Sequence, residues 1–309
     1  MSKFAFLFPG QGSQSVGMMA GFGSGSNSNK IVIDTFKEAS DILGVDFWQM
    51  ATEPNELLNQ TIHTQPIMLA AGIATWRAWS AVNNIKPSIM AGHSLGEYTA
   101  LVAAEALSFA GALPLVQYRA QVMQNAVAEG IGAMAAILGL DDATVFAVCA
   151  EAAQGEVLEA VNLNSPGQVV IAGHKTAVER GMLLAKEKGA KRALALPVSV
   201  PSHCALMKPA ADKLREYLAT VHIATPKIPV IHNADVVANT EATKIKDALV
   251  RQLYSPVRWV ETIQAIAAFG VTNTAECGPG KVLTGLTKRI VSEFPCVALV
   301  NNEALATVL

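Results

Sequence analysis

The stretch Ile89-Met90-Ala91-Gly92-His93-Ser94-Leu95-Gly96-Glu97-Tyr98 decides the reading of the fold. Ile89 to Ala91 is a short apolar run that predicts the end of a buried strand, and the apolar periodicity from Glu97 to Phe109 predicts a helix. Gly92-x-Ser94-x-Gly96 stands between them. This is the pattern of a nucleophile elbow, a strand-to-helix turn so tight that side chains flanking the nucleophile collide. Glycine at 92 and 96 removes the collision and lets Ser94 project from a strained backbone. The helix that follows aims its first N–H groups and the positive end of its dipole at any oxyanion forming beside Ser94. In a chain with 23 glycines the three residues also arise by chance, so the flanking strand and helix carry the expectation.

The rest of the composition agrees with a compact α/β enzyme. The chain has 309 residues, of which 51% are hydrophobic and 16% charged. That length buries an ample core in one large domain or two. A net charge of −2 gives no electrostatic reason to expect nucleic acid as a partner. The start, Met-Ser-Lys-Phe-Ala-Phe-Leu-Phe, runs directly into Pro9-Gly10 without a long apolar region, so no signal peptide is expected. The best apolar run is interrupted by Glu105, so no membrane span is expected either. The four cysteines (Cys149, Cys204, Cys277 and Cys296) are scattered without a C-x-x-C pair. A disulfide framework or zinc site is therefore not expected, and the usage suits a reducing cytoplasm.

In chain order, Phe4 to Phe8 reads as a strand that ends in Pro9-Gly10-Gln11-Gly12-Ser13-Gln14. This resembles a dinucleotide loop only superficially, because Ser15 stands where the third glycine belongs; no Gly-Lys-Ser/Thr follows to make a phosphate loop. A glycine-lined loop at a strand end still brings a backbone N–H close to a reacting atom, as the second half of an oxyanion hole requires. On spacing alone the reading of Gln11 as an ordinary loop residue stands ahead. Gly21 to Lys30 is low in complexity and reads as a flexible surface loop. Helices are predicted over 31–43, 65–82 and 113–127. Arg119 lies close to the apolar face of the third, and periodicity alone favours a snorkelling side chain there.

From Gly132 the pattern becomes strand 133–138, helix 141–153, strand 157–164, strand 168–172, helix 176–188 and strand 191–198. That β-α-β-β-α-β order is the split βαβ, or ferredoxin-like, unit. With the elbow before it and more α/β elements after it, the unit reads as an insertion. Strands at 228–232, 271–276 and 296–300 then alternate with helices at 205–220, 245–253, 259–269 and 281–291, which predicts a mostly parallel sheet covered on both faces.

A serine nucleophile needs a base. Of six histidines, His93 is too close in sequence to face Ser94 and is assigned a supporting role, while His63, His174, His222 and His232 read as structural. His203 stands at the join of strand and helix after the inserted unit, downstream of the serine as in α/β elbow enzymes. Position alone leaves that choice open. Cys204 beside it reads as a packing residue, because sequence neighbours seldom form a Cys–His pair.

Five motifs together carry a resemblance over essentially the full length. They are Phe8-Pro9-Gly10-Gln11-Gly12-Ser13-Gln14, Gly92-His93-Ser94-Leu95-Gly96-Glu97-Tyr98, Asn164-Ser165-Pro166-Gly167-Gln168, Val200-Pro201-Ser202-His203 and Glu276-Cys277-Gly278-Pro279-Gly280. In order and spacing the chain resembles the malonyl-CoA:acyl carrier protein transacylases of dissociated (type II) fatty-acid synthesis. The resemblance implies an α/β-hydrolase-like core over 1–128 and 200–309 with the ferredoxin-like subdomain inserted at 129–199. It implies that Ser94 carries malonate as an ester and that His203 is the base, oriented by a backbone carbonyl near Gln252. Arg119 becomes the partner of the malonate carboxylate, and the N–H groups of Gln11 and Leu95 become the oxyanion hole. It further implies malonyl-CoA and a transiently bound, acidic acyl carrier protein as partners, no bound cofactor or metal, and a cytoplasmic monomer. Lys281, Lys288 and Arg289 are candidates to meet the carrier, with a plain solvated face as the alternative. A serine esterase or thioesterase, or a non-catalytic carrier-binding subunit, would share the same elbow. The Gly/Ser/Asn-rich stretch is looser than the family pattern, and the extreme C-terminus carries no family motif.

Overall fold

The computed structural model describes residues 3–23, 29–198 and 200–306. The chain begins with β1 (Lys3–Phe8), then α1 (Lys30–Leu43), α2 (Phe47–Thr52) and α3 (Thr61–Val82). β2 (Ile89–Gly92), α4 (Leu95–Ala103) and α5 (Phe109–Gln124) follow. The middle of the chain is β3 (Gly132–Leu138), α6 (Asp142–Ala153), β4 (Leu158–Ser165), β5 (Gln168–His174), α7 (Lys175–Glu187) and β6 (Arg192–Ala195). The last part is α8 (Lys208–Thr220), β7 (Val230–Ile231), α9 (Ala242–Gln252), α10 (Trp259–Ala268), β8 (Val271–Glu276), α11 (Val282–Ile290), β9 (Cys296–Ala298) and α12 (Asn302–Leu305).

The protein is mixed α/β, with one parallel and one antiparallel sheet. The five-stranded sheet has the order β7-β2-β1-β8-β9, and every pairing in it is parallel. The alternation in β1 explains why helices cover both faces. Phe4, Phe6 and Phe8 point to one side, where Phe6 meets Trp76 and Trp79 edge-on at 5.3 and 4.6 Å between ring centroids. Ala5 and Leu7 point to the other, into a cluster with Trp259, Ile263 and Leu283 from α10 and α11. A strand buried on both sides reads as a continuous apolar run, as 4–8 does.

The four-stranded sheet has the order β4-β5-β3-β6 and is antiparallel throughout. One face packs on α6 and α7 through Ile137, Val145, Val169 and Val178. The other face, with Met134, Val161 and Val170, packs against Cys204, the residue after His203. Cys204 is fully buried and donates to the Pro201 carbonyl at 3.1 Å, so its thiol is a packing group as expected. Burial pushes that thiol up to about 12, which keeps it protonated.

Several boundaries differ from expectation; the strand expected over 191–198 stops at Ala195, and the helix expected over 113–127 ends at Gln124. The helix expected from 97 to 109 is two helices: α4 stops at Ala103, Glu105 adopts φ 61°, and α5 starts at Phe109 under a cap in which Ser108 Oγ accepts from Gly111 N at 3.1 Å. Apolar residues resume directly after Glu105, and this conceals the corner. α3 begins one turn earlier than expected and carries Pro66 inside it. The strand at 228–232 pairs over only Val230–Ile231. Half of the stretch 21–30, residues 24–28, lies outside the described residues, as do 307–309 at the C-terminus and Ser199. No helix among the described residues is long and apolar enough to cross a membrane.

Candidate active site

The elbow forms as the sequence predicts. β2 ends at Gly92, Ser94 sits at the N-cap of α4 with φ 51° and ψ −108°, and no room exists for side chains on either flank. A Cβ on Gly92 would stand 1.9 Å from the carbonyl atoms of Gly96, and one on Gly96 would stand 2.0 Å from Phe8 O. Gly10 is equally constrained, since its Cβ would lie 2.3 Å from His93 O and 3.6 Å from Leu95 N. The loop after β1 therefore lies directly on the elbow. Its far side is held by the 278–280 turn, where a Cβ on Gly278 would meet Pro9 at 2.9 Å. Leu95 is the first residue of α4, so its N–H has no partner within the helix. Gln11 is exposed, and its side chain donates to Thr61 Oγ1 at 3.3 Å.

Ser94 Oγ and His203 Nε2 are 2.8 Å apart. His203 is 3% exposed and stands in a positive-φ backbone (68°), held by its N–H donating to Leu253 O at 2.9 Å. Its Nδ1–H donates to the backbone carbonyl of Gln252 at 2.7 Å, which fixes the tautomer that leaves Nε2 free to take the Ser94 proton. Burial, with the nearby Arg119 charge second, pulls His203 down to about 3. The imidazole is consequently neutral and unprotonated at neutral pH.

Arg119 is 1% exposed, so the snorkelling expectation from periodicity is corrected: the side chain turns inward toward the elbow. One turn in α5 separates it from Leu115 and Val116, which are fully buried, so it lies within that helix's buried face. Nη1 donates to Gln65 Oε1 at 2.7 Å, and Nη2 donates to Gln252 Oε1 at 2.9 Å and to Ser94 Oγ at 3.2 Å. All three acceptors are neutral, and Nε is buried with no partner among the described residues. A buried cation held only by neutral oxygens beside a nucleophile is a receptor for an anion.

Several residues at this site left no signal in the sequence pattern. Asn233 bridges the elbow, donating to Gly92 O at 2.7 Å and accepting from Ser94 N at 2.7 Å. Glu97, fully buried in the first turn of α4, accepts from Asn233 N at 2.9 Å, Gln252 Nε2 at 2.8 Å and His232 Nδ1 at 2.6 Å. His93 meets Asn164 Oδ1 at 2.9 Å and packs on Trp259, which gives the expected supporting role a place: it ties the elbow to the end of β4. Elsewhere, His174 accepts from Val157 N at 2.9 Å, remote from the elbow in the antiparallel sheet. Of the cationic candidates on α11, Lys281 and Lys288 are exposed and Arg289 donates to Gln168 Oε1 at 2.6 Å.

A serine on an elbow, a neutral histidine at hydrogen-bond distance and an anion-accepting guanidinium together define an acyl-transfer enzyme of the serine type. The chain belongs to the family described as "Acyl transferase domain", whose model matches residues 5–307. The malonyl CoA-acyl carrier protein transacylase of Salmonella typhimurium is 56% identical over 310 residues, covering 100% of this chain and 99% of the relative. The acyl-carrier-protein S-malonyltransferase of Burkholderia pseudomallei is 58% identical with a TM-score of 0.95, covering 98% of both chains. A malonyl-transacylase solved in complex with a type II PKS acyl-carrier protein is 52% identical with a TM-score of 0.96, again covering 98% of both chains.

Proposed function

We propose that this acyltransferase moves the malonyl group from malonyl-CoA to the phosphopantetheine thiol of an acyl carrier protein through a malonyl-Ser94 ester, supplying malonyl carrier protein for fatty-acid synthesis. The relatives named above are malonyl transacylases over their whole length, which supports that substrate and acceptor. The observation that carries the reading is Arg119, a buried guanidinium with only neutral acceptors, 3.2 Å from the Ser94 hydroxyl. A malonate carboxylate placed there accepts charge-assisted hydrogen bonds that lysine does not reproduce in the same geometry. It thereby turns the thioester carbonyl toward Ser94.

Ser94 Oγ attacks the carbonyl carbon as its proton passes to His203 Nε2, and the oxyanion accepts from the N–H groups of Gln11 and Leu95. The C–S bond breaks, the CoA sulfur takes the proton from His203, and the ester remains. A pantetheine thiol then gives its proton to His203 and attacks the ester, releasing Ser94. Since the Arg119 charge is the second cause of the low basicity of His203, a carboxylate paired with that charge raises the basicity of the imidazole as the substrate arrives. We read the parallel sheet and its helices, 1–128 and 200–309, as a hydrolase-like core. The unit 129–199, with its strand order β4-β5-β3-β6, is read as a ferredoxin-like insert. We further read the protein as a cytoplasmic monomer that needs no cofactor.

The test is intact-mass analysis after mixing with malonyl-CoA or acetyl-CoA. The parent protein gains a malonyl adduct that vanishes in Ser94→Ala. Arg119→Ala loses malonyl acylation about a hundredfold or more, the value of one or two charge-assisted bonds, while acetyl acylation persists. Unchanged malonyl acylation in Arg119→Ala refutes the role of the arginine, and release of free malonate without transfer to a carrier favours a thioesterase.

A further inference from the structure

Behind the elbow lies a charged side chain that the acyl-transfer steps leave unused. Glu97 accepts three hydrogen bonds, from His232 Nδ1 on Oε1 and from Asn233 N and Gln252 Nε2 on Oε2. Gln252 Nε2 also donates to Ser94 O at 2.9 Å, and Gln252 Oε1 accepts from Arg119 at 2.9 Å. A primary amide is nearly symmetric in shape, so this slot accommodates Gln252 in two orientations related by a half-turn. Chemistry separates them. On one side stand two acceptors, the Ser94 carbonyl and the Glu97 carboxylate; on the other stands a guanidinium, which only donates. The carboxylate is the stronger of the two acceptors, because charge-assisted hydrogen bonds are roughly twice as strong as neutral ones.

We propose that Glu97 is a positioning residue that sets the preference for carboxylated acyl groups, by locking the Gln252 amide so that its oxygen faces Arg119. Arg119 has two fixed acceptors besides the serine hydroxyl, Gln65 Oε1 and Gln252 Oε1. With the lock in place they pin both ends of the guanidinium beside Ser94. Without it only the Ser94 carbonyl holds the amide NH₂, and the side chain swings away and takes its oxygen off the guanidinium. Arg119 then pivots about its bond to Gln65, away from the place where an acyl carboxylate must sit. Acetyl groups make no use of that place, so their transfer is spared. The inference rests on the reading of Arg119 as carboxylate partner, and the two fail separately: Arg119→Ala with Glu97 intact tests the arginine alone.

Two substitutions at Glu97 and one at Gln252 test the lock, read as the ratio of kcat/KM for Ser94 acylation by malonyl-CoA and by acetyl-CoA. Glu97→Asp keeps the charge but draws the carboxylate back from Gln252 by one methylene. The ratio falls about tenfold, the equivalent of one lost hydrogen bond, through the KM for malonyl-CoA. Glu97→Gln keeps the length. Its oxygen serves Asn233 and Gln252, and its NH₂ donates to His232 once that ring shifts its proton to Nε2, an atom buried without a partner among the described residues. This variant recovers the ratio to within about threefold of the parent. Gln252→Leu removes the lock at its other end and lowers the ratio at least as far as Glu97→Asp, and adding Glu97→Asp to it changes the ratio by less than about twofold. A parallel loss of malonyl and acetyl acylation in Glu97→Asp marks a structural role and overturns the proposal. So does an unchanged ratio in Gln252→Leu, which stands as a test even where Glu97→Asp does not fold. An undiminished effect of Glu97→Asp in the Gln252→Leu background overturns it as well.

Discussion

Gly92→Ala isolates the elbow from the residues that do chemistry. The added methyl would lie 1.9 Å from the carbonyl carbon and oxygen of Gly96 and 2.3 Å from Glu97 N. Those are backbone atoms of the first turn of α4, so no side-chain rotation relieves the overlap. Bringing the contact out to 3.0 Å, the nearest approach that real Cβ atoms show, requires the end of β2 and the start of α4 to separate by about an ångström (3.0 − 1.9 = 1.1). That movement displaces Ser94 from His203 Nε2, now 2.8 Å away, and from Arg119 Nη2, now 3.2 Å away. A misplacement of about 1 Å at a reacting atom costs on the order of a hundredfold in rate. Overpacking of this kind also costs about 1–3 kcal/mol of stability. Stopped-flow or quenched intact-mass kinetics of Ser94 malonylation read the first effect, and urea denaturation the second. Malonylation within about threefold of the parent rate in a folded Gly92→Ala protein would refute the reasoning, because it would mean that the elbow does not hold Ser94 in register.

Other outcomes follow from the same structure. Gly285→Ala, on the exposed side of α11 where an added Cβ meets nothing within 4 Å, stabilises the protein by about 0.5–1 kcal/mol and leaves acylation unchanged; a fall in melting temperature contradicts it. The pH dependence has a definite sign at His203, whose folded pKa is lowered from 6.5 to about 3. Its contribution to stability is complete above pH 6.5 and is lost as the pH falls from there toward 3, because the unfolded chain binds the proton first. Between pH 7.5 and 5 the parent therefore loses about 2 kcal/mol more than His203→Ala, measured by urea denaturation at the two pH values. For the same reason kcat/KM shows no acid limb near 6.5. Reversing the exposed Lys281 and Lys288 to Glu raises the KM for an acidic carrier protein several-fold at low salt and hardly at all at high salt; a KM that does not move removes these lysines from the docking surface.

The parts of this site that were legible in the sequence are those whose geometry is local. The elbow is fixed within five residues, from Gly92 to Gly96, by the absence of room for Cβ atoms, so its pattern is a direct image of its sterics. The apolar run of β1 and the strand-helix rhythm of 132–195 are likewise short-range, and both appear where they were expected. Arg119 was not legible by periodicity. Its burial depends on Gln65, 54 positions before it, and Gln252, 133 positions after it, and the full-length resemblance raised it where the helical pattern did not. Asn233 and the role of Glu97 were missed for the same reason, as was the partner of His232, which was read only as structural: their hydrogen bonds span more than 130 positions, and no periodic signal marks them. The corner at Glu105 was hidden because residues on both sides of it are buried, so apolarity continues while the helix does not.

The dyad has a neutral third member, and the proposed substrate explains why. A histidine base is oriented by whatever accepts from its Nδ1–H, and in many serine enzymes that group is a carboxylate. Here it is the backbone carbonyl of Gln252, whose side-chain oxygen also accepts from Arg119. The same residue thus meets both the base and the cation. A carboxylate in that position would lie close enough to neutralise Arg119 internally and to repel an incoming malonate. The neutral carbonyl fixes the tautomer without adding charge. It leaves His203 a weak base in the free protein, held low by burial and then by the unpaired arginine. Arrival of a substrate carboxylate removes the second of those causes. On this reading basicity rises when the correct acyl group is in place, and an acetyl thioester, which leaves Arg119 unpaired, forgoes that gain together with the hydrogen bonds.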